Sequence, residues 1–152
     1  MAIRNLRVDD DPILRKRARE ITDINDRMKE LAADMLETMY AAEGVGLAAP
    51  QIGILRRLVV IDVGDGPVVM VNPEITETKG SCIESEGCLS FPGQSGYVER
   101  PEEVTCIFTG LDGETYETTG DGLYARAICH EVDHLNGEVY IDKVIEDYDP
   151  EA

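Results

Sequence analysis

The chain has two histidines, and they stand four residues apart in the run His130-Glu131-Val132-Asp133-His134. On a helix, residues i and i+4 share a face, so both imidazoles can reach one ion. This pattern constrains the fold more than any other feature, because the segment must be helical and packed against whatever completes the site. The surrounding GLYARAICHEVDHLN reads as that helix, capped by Asp121, starting near Gly122 and ended by Gly137. Glu131 is turned about 100° from His130, which lets it exchange protons beside the ion without ligating it. A charged helix holding two histidines by chance is the plainer reading, and it fits poorly when the chain has no others.

Two imidazoles do not finish a catalytic site, which ordinarily has three protein ligands and one open position. The extended pattern H-E-x-x-H-x-x-G-x-x-H keeps its glycine at Gly137 but has Tyr140 in the last place. A glutamate from a later helix is disfavoured because 18 residues follow His134, and Glu146, Asp147 and Glu151 lie in an acidic tail. The third ligand is expected upstream, where the cysteines compete. Cys129 points away from the face of its neighbour His130, and Cys82 and Cys106 read as small buried hydrophobes. Cys88 lies in EGCLS, after Gly87 and shortly before Pro92, where the backbone can bend to present a thiolate. Residues alone favour Cys88 and leave the other thiols open.

The remaining pattern predicts one α+β domain over residues 1–152, with antiparallel strands packed around the C-terminal metal-binding helix. A short helix is expected over 11–20, started by Asp11-Pro12. A second is expected over about 24–42, capped by Thr22 or Asp23 and burying Ile24, Met28, Leu31, Met35 and Met39. RRLVVIDV and PVVMVNPEI form a hairpin through GDGP, and VTCIFTGLDGETYETT forms another through LDGE. Residues 80–96 are too rich in Gly, Ser and Pro for one long strand. The tail VYIDKVIEDYDPEA is expected to give one strand and a frayed end.

Fourteen basic residues against 31 acidic ones leave a formal charge of −17, so direct nucleic-acid binding is not expected. No apolar run reaches the roughly 18 residues of a membrane span, and MAIRNLRVDDDP carries no export signal. No CxxC pair is present, and reduced thiols in a cytoplasm are the expectation. Gly44, Gly46 and Ala49 match G-x-G-x-x-A, yet that fingerprint needs a preceding strand and a following helix. Here a helix precedes, and Pro50 and a strand follow. Close approach to an extended substrate explains these glycines better, with Val45, Gly46 and Gly87 as contact residues.

GVGLAAPQ at 44–51, EGCLS at 86–90 and HEVDH at 130–134 resemble, in order and spacing, the signature segments of bacterial peptide deformylases. DDDPILRKRA and the helix after it are similar too, so the resemblance spans nearly the whole chain. It implies an α+β fold and removal of formate from the N-terminal formyl-methionine of newly made polypeptides. It implies Cys88, His130 and His134 as metal ligands and Glu131 as general acid and base. Gln51 and the Leu89 N–H would meet the developing oxyanion. Ferrous iron is the implied ion, and Zn²⁺, Ni²⁺ and Co²⁺ suit the same donors. Two positions depart from the family pattern: Cys129 stands where glutamine is frequent, and Arg126 where some members have an apolar residue near the methionine pocket. A small metallopeptidase and a structural metal-binding module are the alternatives.

Overall fold

The structure is a computed structural model and describes residues 2–151. Helix α1 (Asp26–Ala41) begins where the Asn25 side chain accepts the Met28 N–H at 3.1 Å. Asn25 is thus the cap, two residues beyond Asp23. Five strands follow one another in an antiparallel sheet of order β1-β2-β3-β6-β7: β1 (Gly46–Ala48), β2 (Leu58–Ile61), β3 (Val68–Lys79), β6 (Glu103–Thr109) and β7 (Thr115–Asp121). Both expected hairpins are present, β2–β3 through residues 62–67 and β6–β7 through 110–114.

Strand β2 shows how the layers are held together. Successive side chains point to opposite faces of a strand. Leu58 and Val60 join the cluster of Leu31, Met35 and Met39 from α1. Val59 and Ile61 join Ile128, Val132 and Leu135 from helix α2 (Gly122–Leu135). All four strand residues are fully buried, and each contributes about 1.5–3 kcal/mol of hydrophobic burial. The sheet is therefore gripped between two helices, with α2 carrying the histidine pair inside the molecule.

The end of α2 is fixed from outside the helix. Arg57, just before β2, donates to Leu135 O at 2.9 Å and to Asn136 Oδ1 at 2.9 Å. A guanidinium there satisfies last-turn carbonyls and opposes the negative end of the helix dipole. Gly137 follows at φ +76°, and a Cβ on it would lie 2.6 Å from the Arg15 carbonyl oxygen. Both the turn and this close approach require glycine.

Two further expectations need correction, those for residues 11–20 and for the tail, while residues 80–96 do not form one long strand, as expected. Residues 11–20 form no such helix, only a 3-10 turn over Pro12–Arg15, capped by Asp11 through the Ile13 N–H. RKRARE offers no apolar face, and the Ala18 N–H donates instead to Leu135 O, tying the extended chain to the end of α2. Residues 80–96 contain two strands, β4 (Cys82–Gly87) and β5 (Ser95–Arg100), paired in a separate two-stranded sheet around the 88–94 loop. The tail gives a 3-10 turn, Tyr140–Lys143, and a single bridge from Val144 to Val98 instead of a strand. Among the described residues no helix is long and apolar enough to cross a membrane.

Candidate metal centre

Strand β4 ends at Gly87, and the next residue, Cys88, meets the face of α2 that carries both histidines. One ligand atom from each of Cys88, His130 and His134 lies within 4.8 Å of the others, and no other such group of three occurs among the described residues. The Cys88 Sγ lies 3.3 Å from His134 Nε2. Metal–sulfur and metal–nitrogen bonds of about 2.3 and 2.05 Å at a tetrahedral angle would set these atoms about 3.6 Å apart. The donor set, its enclosure and this spacing fit a divalent ion. Cys129 is buried away from the group, with burial pushing its thiol up to about 11. Cys106 is a fully buried core residue, whereas Cys82 is half-buried at the start of β4 and not part of the core.

Behind the ligands stands a buried network. Glu86 Oε1 takes a short hydrogen bond from His130 Nδ1. A carboxylate at Nδ1 selects the tautomer whose lone pair is on Nε2, the form a metal needs. Arg100 holds Glu86 through Nη2 at 2.7 Å and Nε at 3.2 Å and also binds Asp133 on α2. Arg126 adds a bond to Glu86 Oε2 at 2.9 Å. Burial would raise the Glu86 pKa, but the His130 and Arg100 hydrogen bonds outweigh it and bring it to about 2. The two imidazoles diverge. Burial and the charges of His130 and Arg100 hold His134 well below its ordinary value. His130 is also opposed by burial, yet the Glu131 charge and the bonds to Cys88 and Glu86 carry it up to about 10.

Glu131 is buried beside the ligands, and its Oε1 has no hydrogen-bond partner. Burial, aided by the charges of Glu86 and Asp133, raises it to about 7, suited to exchanging a proton near neutrality. Its seat is made by Gly46, where a Cβ would lie 2.7 Å from Glu131 Oε2. Gly44 plays the same part for Leu89, whose Cδ1 would be 2.7 Å from a Cβ there. Gln51 is fully buried in the 3-10 turn Ala49–Ile52. Its Oε1 accepts the Ala48 N–H at 2.9 Å, so Nε2 must face the site, 3.5 Å from Cys88 Sγ and 3.1 Å from Ser90 Oγ.

A cavity of about 580 Å³ opens onto these groups and is bounded by Val45, Gly46, Gln51, Gly87, Leu89 and Glu131 among others. Every residue singled out from the sequence as substrate-binding or catalytic lines it. Strand β1 is one of the two edges of the five-stranded sheet and among the described residues pairs with β2 alone, so its outer side offers backbone groups outside the ladder. The Val45 carbonyl is already taken by the Asp62 N–H at 2.9 Å, which leaves this residue's N–H and side chain for contacts. Sequence reading missed Glu86 and Arg100. Glu86 could have been suspected from its place two residues before Cys88, but Arg100 carries no local signal, because its role arises from pairing across β4 and β5.

The polypeptide deformylase family matches this chain over residues 3–149. The peptide deformylase of Agathobacter rectalis is 56% identical over 144 residues, covering 95% of this chain and 91% of that protein. Peptide deformylase 1 of Clostridium acetobutylicum is 55% identical over 146 residues, 96% of this chain and 97% of that one. The crystal structure of peptide deformylase from Thermotoga maritima superposes with a TM-score of 0.93 at 43% identity, covering 95% of this chain and 99% of the other. Similarity of this extent in sequence and in three dimensions means that the chain belongs to the polypeptide deformylase family.

Proposed function

We propose that residues 1–152 act as one catalytic unit that hydrolyses the formyl group from the N-terminal formyl-methionine of newly made polypeptides, releasing formate. One observation carries this reading. A thiol and two imidazoles converge beside a buried carboxylate with an unbonded oxygen, all facing one substrate-sized cavity. Cys88, His130 and His134 hold the ion, with Glu86 orienting His130. When bound, the ion supplies Lewis acidity, lowering the pKa of water toward ~7 and polarising a carbonyl. Glu131 takes the proton of the attacking water and delivers it to the departing amine. Gln51 Nε2, held by the Ala48 N–H, and the Leu89 N–H donate to the oxygen on which charge develops. Val45 just before β1, Gly46 at its start and Gly87 at the end of β4 align the peptide backbone.

Ferrous iron is the working ion in this proposal, and Zn²⁺, Ni²⁺ or Co²⁺ would bind the same donors. A cytoplasmic location belongs to this reading, supported by nascent chains as the proposed substrate and by the free thiols, and the charge argues against direct nucleic-acid contact. A structural module would close the site with a fourth protein ligand, whereas the group among the described residues has three. The test is formate release from a formyl-methionyl tripeptide by wild type and Glu131→Gln, with metal measured in both. Wild type releases formate, while the variant keeps its metal and loses most turnover. Cleavage of internal peptide bonds without formate would point to a metallopeptidase instead.

A further inference from the structure

The 3-10 turn Tyr140–Lys143 in the tail is fixed on both flanks. Tyr140 is buried, with its ring centroid 5.9 Å from those of Phe91 and His130. After the turn, Val144 bridges Val98 on β5, and the Ile145 N–H donates to the Tyr97 carbonyl at 2.8 Å. Gly96 leaves room for this crossing, since a Cβ there would lie 2.7 Å from both Cγ atoms of Val144. Lys143 is thus carried by anchored backbone. Its Nζ lies 2.9 Å from Oδ2 of Asp133, the residue before the ligand His134, and 3.5 Å from the exposed Glu138.

The same Asp133 oxygen accepts from Arg100 Nη1, while Arg100 Nη2 and Nε donate to Glu86 at 2.7 and 3.2 Å. Lys143, Asp133, Arg100, Glu86 and His130 therefore form one unbroken chain of polar contacts, from the tail to a metal ligand. A guanidinium is planar, with its donors in a fixed fork. Arg100 cannot move toward Asp133 without turning Nε and Nη2 away from Glu86. How strongly Asp133 draws it depends on whether a second cation shares that carboxylate. We propose that Lys143 is a positioning residue for the metal centre: by neutralising Asp133 it leaves Arg100 committed to Glu86 and so keeps His130 aimed at the ion. Arg126 holds Glu86 from another side, so losing Lys143 should loosen the arrangement only in part. This inference rests on the metal centre of the deformylase reading and extends it into the tail.

The test titrates the full chain with Zn²⁺ against a competing chelator at neutral pH. Losing a group that orients a ligand costs about 10–100-fold in metal affinity, and Lys143 acts one link further out, so Lys143→Met should weaken binding by roughly three- to tenfold. Lys143→Arg, a cation that can reach the same oxygen, should stay within about twofold of wild type. The readout that a merely structural role would not move is the double variant. In a Glu86→Gln background the effect of Lys143→Met should shrink below about twofold, because the two residues act along one route. Unchanged or tighter binding in Lys143→Met overturns the proposal, since loss of a nearby cation by itself would favour a divalent ion. An equal loss in both backgrounds overturns it too, and so does a matching loss in Glu138→Gln, which would assign the effect to the surface pair. If wild type binds no Zn²⁺ through Cys88, the metal centre fails and the positioning role with it. If wild type binds the ion yet releases no formate, the deformylase reading fails while the affinity cycle still decides the role of Lys143.

Discussion

Replacing Gly46 by alanine should damage catalysis without touching a ligand. The new Cβ would lie 2.7 Å from Glu131 Oε2, 3.0 Å from Cγ and 3.1 Å from Cδ. An ordinary contact begins near 3.4 Å, so the carboxylate must leave its seat by about 0.7 Å, displaced relative to the ligands and the cavity it faces. Misplacement of a catalytic group by about 1 Å costs on the order of 10²-fold, so kcat should fall by roughly 30- to 100-fold, about 2–3 kcal/mol of activation free energy. Steady-state formate release, metal stoichiometry and urea unfolding would be measured together on the variant. The expected outcome is lower kcat with one metal per chain retained. Unchanged kcat would refute the claim that this glycine seats Glu131, and loss of metal with kcat per bound ion unchanged would move its role to the ligands.

Other outcomes follow from the same geometry. Gln51→Ala should keep its metal and lose about 10²–10³ in kcat, the loss expected on removing one oxyanion donor; a loss confined to KM would contradict the assignment. Glu86 has a pKa of about 2 against 4.5 ordinarily. Because the folded value is depressed, its stabilisation is complete above pH 4.5 and is lost as pH falls toward 2, on the order of 3 kcal/mol in all. Urea unfolding in chelator should show that loss in wild type and a flatter slope in Glu86→Gln; parallel slopes would show that Glu86 is not the responsible group. Holo Glu86→Gln should also bind metal about 10–100-fold more weakly, read by competition with a chelator. If iron is the working ion, anaerobically prepared protein should lose activity in air as iron and thiolate oxidise, and unchanged activity after exposure would argue for zinc.

Legibility followed the range of the interactions. Helix α2 was readable because its apolar spacing, its terminal glycine and its two histidines agree over one short segment. The α1 stripe and both hairpins of the large sheet were readable for the same reason: period and turn chemistry are local. The segment 11–20 misled because Asp11-Pro12 does start a turn, yet whether a helix continues depends on a buried face that RKRARE lacks. Strands β4 and β5 were hidden by their glycines and serines, since they are held by each other and by Arg100 and Arg126, not by alternating apolar residues. At the site, Cys88 could be favoured from Gly87 and Pro92 alone, but the spacing of its sulfur from His134 comes from tertiary packing. The seats that Gly44 and Gly46 make for Leu89 and Glu131 depend on contacts across the fold that no run of residues displays.

X-ray absorption at the metal edge of protein loaded with one equivalent of ion tests the central claim most directly. The account predicts a single sulfur neighbour at about 2.3 Å and nitrogen neighbours at about 2.0–2.1 Å for zinc, with the sulfur signal lost in Cys88→Ser. A wild-type spectrum without sulfur, or one with two sulfurs, would contradict it.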